Sequence, residues 1–473
     1  MNAKERVIRN LANAGFDGKI GLSSSLNLDV TVNPDFSQVE IDDQVVNLDR
    51  FEIFFPERRQ FFIENSDLFD AFGFSKIRPF FSRRIGLVQG RNIPIIGAAR
   101  LSGSINRNWR VGLMDLQTLQ EKELNLKPEN FLVAAVQRRL FDRSNLGIIL
   151  VSRNTIDPAK GALENHNSVA GMDFNLYSKD NKWRGKFFYH QSFGKRVHID
   201  GNANASWLQY RTSSWNIQWN HEYVGRYYNA SVGFVPRTAY FRLEPSLGYT
   251  FFMKKGSKLF SVTPTLYYSQ YWLLDGFKSS DRINQVLLDF SFMNTSLLSM
   301  NFTDQQIRLI RSFDPTGKKK YEVLPGNYLF RSGGISYTSN FRPRFTYSVF
   351  ASGGTYFDLR RVGYGGTLSY RFQPYGSISA SVERYELLLQ EGKRAASITL
   401  ASSKLDVSFT KDVFFTGILQ YNTQQNVFNI NARLQWRYKP MSDLFIVYSD
   451  NYDDVLSNRI RAFQIKWTYW LNL

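Results

Sequence analysis

Apolar and polar residues alternate along almost the whole chain. In residues 426–438 (NVFNINARLQWRY), Phe428, Ile430, Ala432, Leu434, Trp436 and Tyr438 share one face, and Asn429, Asn431, Arg433, Gln435 and Arg437 share the other. The same two-residue period runs through Leu405, Val407 and Phe409; through Val362, Tyr364, Leu368, Tyr370 and Phe372; through Ile378, Ala380 and Val382; and, near the start, through Ile20, Leu22, Leu26, Leu28, Val30 and Val32. Period two marks extended strands, because successive side chains leave a strand on opposite faces. Strands in soluble sheets average about 5–6 residues. Longer ones, apolar on one side and charged on the other, suit the wall of a membrane barrel. No segment carries a comparable helical stripe. The longest apolar runs, FLVAAV at 131–136 and LGIILV at 146–151, fall far short of the roughly 18–20 residues that a membrane-spanning helix requires.

Short turns at 180–181, 342–343, 374–375, 411–412 and 440–443 alternate with longer polar connections at 313–326, 389–394 and 450–458. Tight turns on one rim and long loops on the other are the habit of outer-membrane barrels. A hairpin takes about 33 residues by this spacing, which predicts an all-β fold: a large transmembrane antiparallel β-barrel of roughly 18–24 strands. The last strand, 459–473 (RIRAFQIKWTYWLNL), places Phe463, Ile465, Trp467, Tyr469, Leu471 and Leu473 on one apolar-aromatic face. We read it as the strand that closes the barrel and signals to the barrel-assembly machinery.

Residues 34–80 break the alternation. NPDFSQVEIDDQVVN (33–47) and FEIFFPERRQFFIEN (51–65) lead into RPFFSRRIG (78–86). Paired phenylalanines with charges between them predict a folded insert packed against something polar, and a lumen filled by a plug suits that description. The expected organisation is a tail at 1–16 and a barrel at 17–473, with the insert at 34–80 as its plug.

Composition narrows the chemistry. With 43 % hydrophobic residues among 473, the chain can bury a large core. The absence of Cys removes thiol nucleophiles, disulfides and thiolate metal sites. The opening 18 residues are charged and lack the apolar core of a secretory signal, so an outer-membrane address expects a leader upstream. A net charge of +18 with many aromatics raises nucleic-acid binding, yet rings recurring at period two suit lipid-facing girdles better. Basic clusters at 254–258, 318–320 and 393–394 are expected to meet lipopolysaccharide phosphates where they lie in long loops.

The motifs NPDFSQVE, FFPERRQFF with FIEN, and FSRRIG, close together and in that order, resemble a family of Gram-negative outer-membrane barrel proteins catalogued as a domain of unknown function. Members often follow a family-9-like carbohydrate-binding domain. GAARLSGSINRNWRVGLMD (97–115) and NASVGFVPR (229–237) extend the resemblance over essentially the whole chain. It implies barrel architecture and an outer-membrane address, and it brings no biochemical activity.

Asp35, Glu40, Glu57 and Glu64 are acids enough for a glycosidase pair, which needs two carboxylates roughly 5–10 Å apart. The expectation preferred here is a structural network in which Asp35, Glu40, Glu57 and Glu64 pair with Arg58, Arg59, Arg83 and Arg84 to hold the plug, since buried charges persist when paired. His190 with Ser192, and His221 with Glu222, are the residue types of hydrolase chemistry, but no nucleophile-elbow motif accompanies them. No catalytic residue, metal or cofactor is expected. The expected partners are outer-membrane lipid and lipopolysaccharide, the barrel-assembly machinery, and periplasmic or surface proteins of a larger complex, with no nucleic acid. The function anticipated is a non-enzymatic channel, transporter or assembly scaffold with an occluded lumen. The alternatives are a barrel enzyme acting on glycan or lipid and a soluble basic nucleic-acid-binding β protein.

Overall fold

The computed structural model describes residues 14–34, 42–88, 91–157, 159, 162–195, 197–317, 321–453 and 458–470. Alternating sequence becomes strand almost throughout, and 25 strands join in one antiparallel sheet. The all-β, antiparallel expectation holds. Wall strands pair mostly with their neighbours in sequence, as in Glu129–Leu140 against Ser144–Asp157 and Phe345–Tyr356 against Leu359–Arg371, while Leu26–Val32 pairs with Ile95–Ser104 across the intervening insert. Many wall strands run 12–16 residues. Residues 240–252 form a single interrupted strand in three pieces, Tyr240–Leu243, Ser246–Tyr249 and Phe251–Phe252. Pro245 stands in the first gap, where a residue without an N–H cannot donate to the ladder. Counted as one, these pieces bring the wall to 23 strands, inside the expected range.

Contacts divide the chain into two compact units: Met1–Gln38, Pro56–Trp207 and Glu222–Tyr240 make the first, and Val39–Phe55, Leu208–His221 and Phe241–Leu473 the second. In the first, the neighbouring wall strands Glu129–Leu140 and Ser144–Asp157 carry apolar side chains on both faces. Phe131, Val133, Ala135, Ile149 and Val151 are buried under the insert, while Val136, Ile148 and Leu150, on the other face, are exposed. The runs FLVAAV and LGIILV are unbroken because the face under the insert is apolar as well as the exposed one. The exposed face is continuous across strands, because Ile148 sits opposite Met172 and Met172 opposite Tyr189, all three exposed.

In the second unit the wall keeps its alternation. Asn422, Asn429, Asn431 and Asp450 are buried on one face, and Phe428 and Trp436 are exposed on the other. Leu266, Val286 and Phe302 stand directly opposite one another on three successive strands. They are 56 %, 46 % and 55 % exposed. The final strand, Asn458–Trp467, extends the pattern, with Phe463, Ile465 and Trp467 opposite Tyr448, Ile446 and Leu444. These three and Tyr469 are exposed on one face; Leu471 and Leu473 lie outside the described residues.

Candidate functional site

The irregular stretch between the second wall strand, Leu26–Val32, and the wall strand Ile95–Ser104 is where the chemistry gathers. Within the first unit, residues 56–88 contain two four-residue helices, Gln60–Ile63 and Asp67–Asp70, a single turn of 3₁₀-helix at Ser82–Arg84 and the two-residue strand Leu87–Val88. Helices this short have little stability of their own, so packing on the wall must hold them. Phe62, Leu68, Phe69, Phe72 and Phe80 form a core with Met114, Leu116, Phe131 and Ile149. Two of these rings sit over wall glycines. A Cβ on Gly112 would lie 2.6 Å from Phe69 Cζ, and one on Gly147 would lie 2.9 Å from Phe72 Cε1.

Of the charges expected to hold the insert, Glu57 and Arg59 pair with each other. The Glu57 carboxylate accepts the backbone N–H groups of Arg58 and Arg59, both at 2.9 Å, and the Arg59 guanidinium at 2.7 and 2.9 Å. Arg59 also donates to the carbonyls of Ser82 and Ile85 at 2.8 Å and lies 4.2 Å over the Phe62 ring. Arg83 donates to the Pro56 carbonyl at 2.9 Å, and Arg84 to the Gly233 carbonyl at 3.2 Å. Burial alone pushes the Glu57 carboxyl up, but the hydrogen bonds and charge of Arg59, with Ser82, outweigh it and leave the group below its ordinary value. Asp70 goes the other way: burial, reinforced by the negative charges of Glu57 and Asp67, raises it to about 6 against the pull of Arg78 and Ser66. Asp35 and Glu40 lie outside the described residues.

The residues that tie this insert to the wall were missed by sequence reasoning. Arg100, on Ile95–Ser104, is almost fully buried and donates to the Asp29 carboxylate at 2.7 and 3.1 Å and to the carbonyls of Phe61 and Glu64. The Glu64 carboxylate, one of the predicted acids, reaches the wall and pairs with Lys19. Asp173 accepts the Gly73 N–H at 2.7 Å, His190 Nε2 hydrogen-bonds it at 2.7 Å, and Lys186 stands 3.2 Å away. A signal was available: an Arg or Asp on the face of a strand that is otherwise small or apolar survives burial only with a partner.

In the second unit, residues 42–55 lie against wall side chains. Asn47 and Gln424 exchange two hydrogen bonds, 2.9 Å from the Asn47 N–H and 2.6 Å to its carbonyl. Tyr356 donates to the Leu48 carbonyl at 2.5 Å, and Arg50 pairs with Asp281 at 2.6 Å. Val46 and Leu48 pack on a core containing Leu309, Leu359, Leu387 and Ile398.

The candidate hydrolase pairs do not meet. His190 turns to Asp173 and stacks on Phe188, while Ser192 donates to the Gly201 carbonyl at 2.8 Å. Trp219 donates to His221, and Tyr240 donates to Glu222. Among the described residues no three His, Asp or Glu gather where they could hold a metal ion. No helix among them is long and apolar enough to cross a membrane.

The wall and its insert have a counterpart among known families. Residues 1–95 and 89–391 match the family described as a domain of unknown function (DUF5916). The chain belongs to this family. Its description brings no activity, so function has to be argued from the geometry above. No curated protein matches the sequence. Solved structures that resemble the chain include a mutant ferric enterobactin receptor (PfeA) from Pseudomonas aeruginosa, at 10 % identity and a TM-score of 0.38, covering 76 % of this chain and 66 % of the receptor. Another is that receptor in complex with BCV-L6, at 9 % identity and a TM-score of 0.38, covering 78 % of this chain and 69 % of the receptor. The chain thus spans about two thirds of the receptor's length.

Proposed function

We propose that the sheet closes into an outer-membrane β-barrel whose lumen is occluded by its own insert, and that the protein serves non-enzymatically as a gated channel, transporter or assembly scaffold. The observation that carries this reading is the pair of unlike faces. In each unit, one face of the wall exposes a row of large apolar side chains in register, Ile148–Met172–Tyr189 in the first and Leu266–Val286–Phe302 in the second. Contiguous apolar surface of that kind is costly in water and at home in hydrocarbon. The other face holds the insert through Arg100, which is paired with Asp29 and donates to the carbonyls of Phe61 and Glu64, and through the pair of Arg50 with Asp281. Buried ion pairs are tolerated where each group has its partner, and breaking one leaves a costly orphan, so such contacts suit a plug that stays seated until displaced. Lipid and lipopolysaccharide would cover the outer face, and the exposed aromatic row of the last strand would meet the barrel-assembly machinery.

The test combines location with conductance. The protein should fractionate with the outer membrane and leave it only in detergent. In planar bilayers it should conduct little, and deleting residues 45–65, or replacing Arg58 and Arg59 with Ala, should raise the conductance. A wide, steady pore in the unmodified protein, unchanged by those substitutions, would place the insert outside the lumen. A monodisperse, detergent-free monomer would overturn the membrane assignment itself.

A further inference from the structure

The tight turns of the second unit lie side by side. Met293 N–H donates to the Lys258 carbonyl at 2.9 Å, joining turn 253–258 to turn 293–296. Thr295 bonds Asn340 at 3.0 Å, joining the latter to turn 339–344. Arg371 N–H reaches the Arg344 carbonyl at 2.9 Å, Ser408 N–H the Tyr375 carbonyl at 2.7 Å, and Arg437 N–H the Asp412 carbonyl at 2.7 Å. The turns at 253–258, 293–296, 339–344, 372–375, 409–412 and 440–441 therefore make one continuous edge.

That edge is basic. Its turns carry Lys254, Lys255, Lys258, Arg342, Arg344 and Lys411 against a single acid, Asp412. The connections at the opposite ends of the same strands (274–278, 310–325, 357–358, 389–393 and 423–426) carry six basic and five acidic residues, counting Lys318, Lys319 and Lys320, which lie outside the described residues. All six cations of the tight-turn edge are exposed. None has a carboxylate within ion-pair distance among the described residues. Large rings stand between them: Phe252, Phe341, Tyr375, Phe409 and Trp436 are all exposed. Of the basic clusters in the sequence, 254–258 forms a tight turn, one step from the last wall residues.

We propose that this edge is a docking surface for anionic glycerophospholipid headgroups, with the six cations taking phosphates and the rings seated at the level of the glycerol and upper acyl chains. The reading rests on the membrane-embedded wall proposed above. Two features favour this occupant. Cations near a membrane surface each attract anionic lipid appreciably, and aromatic rings favour the interface between apolar and wet layers. The cations are also spread one to three per turn over neighbouring turns, which suits several singly charged phosphodiesters rather than the clustered phosphates of one lipopolysaccharide.

The probe is brominated lipid, which quenches tryptophan fluorescence on contact. The full-length chain in phosphatidylcholine bilayers would receive trace brominated phosphatidylglycerol or, in parallel, brominated phosphatidylcholine. Preferential quenching by the glycerol lipid, roughly fivefold or more and weakening with added salt, is expected. The preference should vanish when Lys254, Lys255, Lys258, Arg342 and Arg344 are replaced by Gln, and survive Arg311→Gln with Lys393→Gln at the other end. The salt dependence of the unmodified protein gives the same answer if the fivefold variant does not fold. Equal quenching by both lipids would overturn the anionic surface and leave the membrane reading intact. Absence of quenching by either, with protein left outside the bilayer, would overturn both. Displacement of phosphatidylglycerol by lipopolysaccharide at lower concentration would overturn the assignment to glycerophospholipid.

Discussion

Asp173 accepts the backbone N–H of Gly73 at 2.7 Å, a contact that ties the insert of the first unit to a strand one hundred residues away in sequence. The same carboxylate faces His190 and Lys186, so it is a junction rather than a simple acceptor. Gly73 adopts φ +71° there, and a Cβ would run into the Ile77 carbonyl. Only glycine presents its amide at that point without strain.

Removing the junction should be expensive. Asp173→Ala leaves the Gly73 amide, Lys186 and His190 without their shared acceptor, and breaking such a buried pair costs about 3–5 kcal/mol. Asp67→Ala, which breaks a well-formed but exposed pair with Arg110, should cost no more than about 1 kcal/mol. Limited proteolysis of residues 56–88, with denaturant titration, should rank the two variants in that order. Equal sensitivity would mean that the Asp173 contact does not hold the insert.

The seat of Phe69 can be tested by filling it. Gly112→Ala places a methyl 2.6 Å from Phe69 Cζ, and overpacking of a well-packed core costs about 1–3 kcal/mol. The insert should loosen and conductance rise. Phe69→Leu in the same chain frees the space and should recover much of the loss, so a double-mutant cycle would read a coupling. Strict additivity would show that the ring does not sit on that glycine.

Insert stability should depend on pH through Asp70. Its carboxyl is raised from 3.8 to about 6, so the seated insert binds a proton more tightly than the free one. The contribution is fully present below about pH 4 and is lost as pH rises through 6; the shift corresponds to something on the order of 2–3 kcal/mol. Protease resistance of the insert should therefore fall between pH 4 and pH 7, and Asp70→Asn should flatten that dependence. A resistance that rises with pH in the unmodified protein, and is unchanged in Asp70→Asn, would contradict it.

The outer face of the wall should reject charge. Val286→Arg, within the exposed row Leu266–Val286–Phe302, should cost about 2–4 kcal/mol if it lies near the bilayer midplane. Gln285→Arg, one residue along and on the opposite face, should cost far less. Unfolding titrations in lipid vesicles compare them directly, and a larger loss for the second would invert the assigned faces.

Several features were legible in the residues alone. The period-two pattern of 426–438 fixed both the strand and its faces, because a strand offers only two sides and one residue of slip would exchange them. The break at 34–80, the tight turns and the exposed row Phe463, Ile465, Trp467 and Tyr469 were readable for the same local reason.

What the tertiary structure decided is every contact whose partners are distant in sequence. FLVAAV and LGIILV carry no sign that an insert lies over them, since burial on a second face is a property of neighbours. Arg100 and Asp173 looked like ordinary polar positions until the fold brought Asp29, Glu64 and Gly73 to them. Nor could alternation reveal that Phe69 lies on Gly112, because a glycine's value there is the space it leaves for a ring elsewhere in the chain. Periodicity is set by each strand's own backbone, whereas partnership is set by the register of the whole sheet.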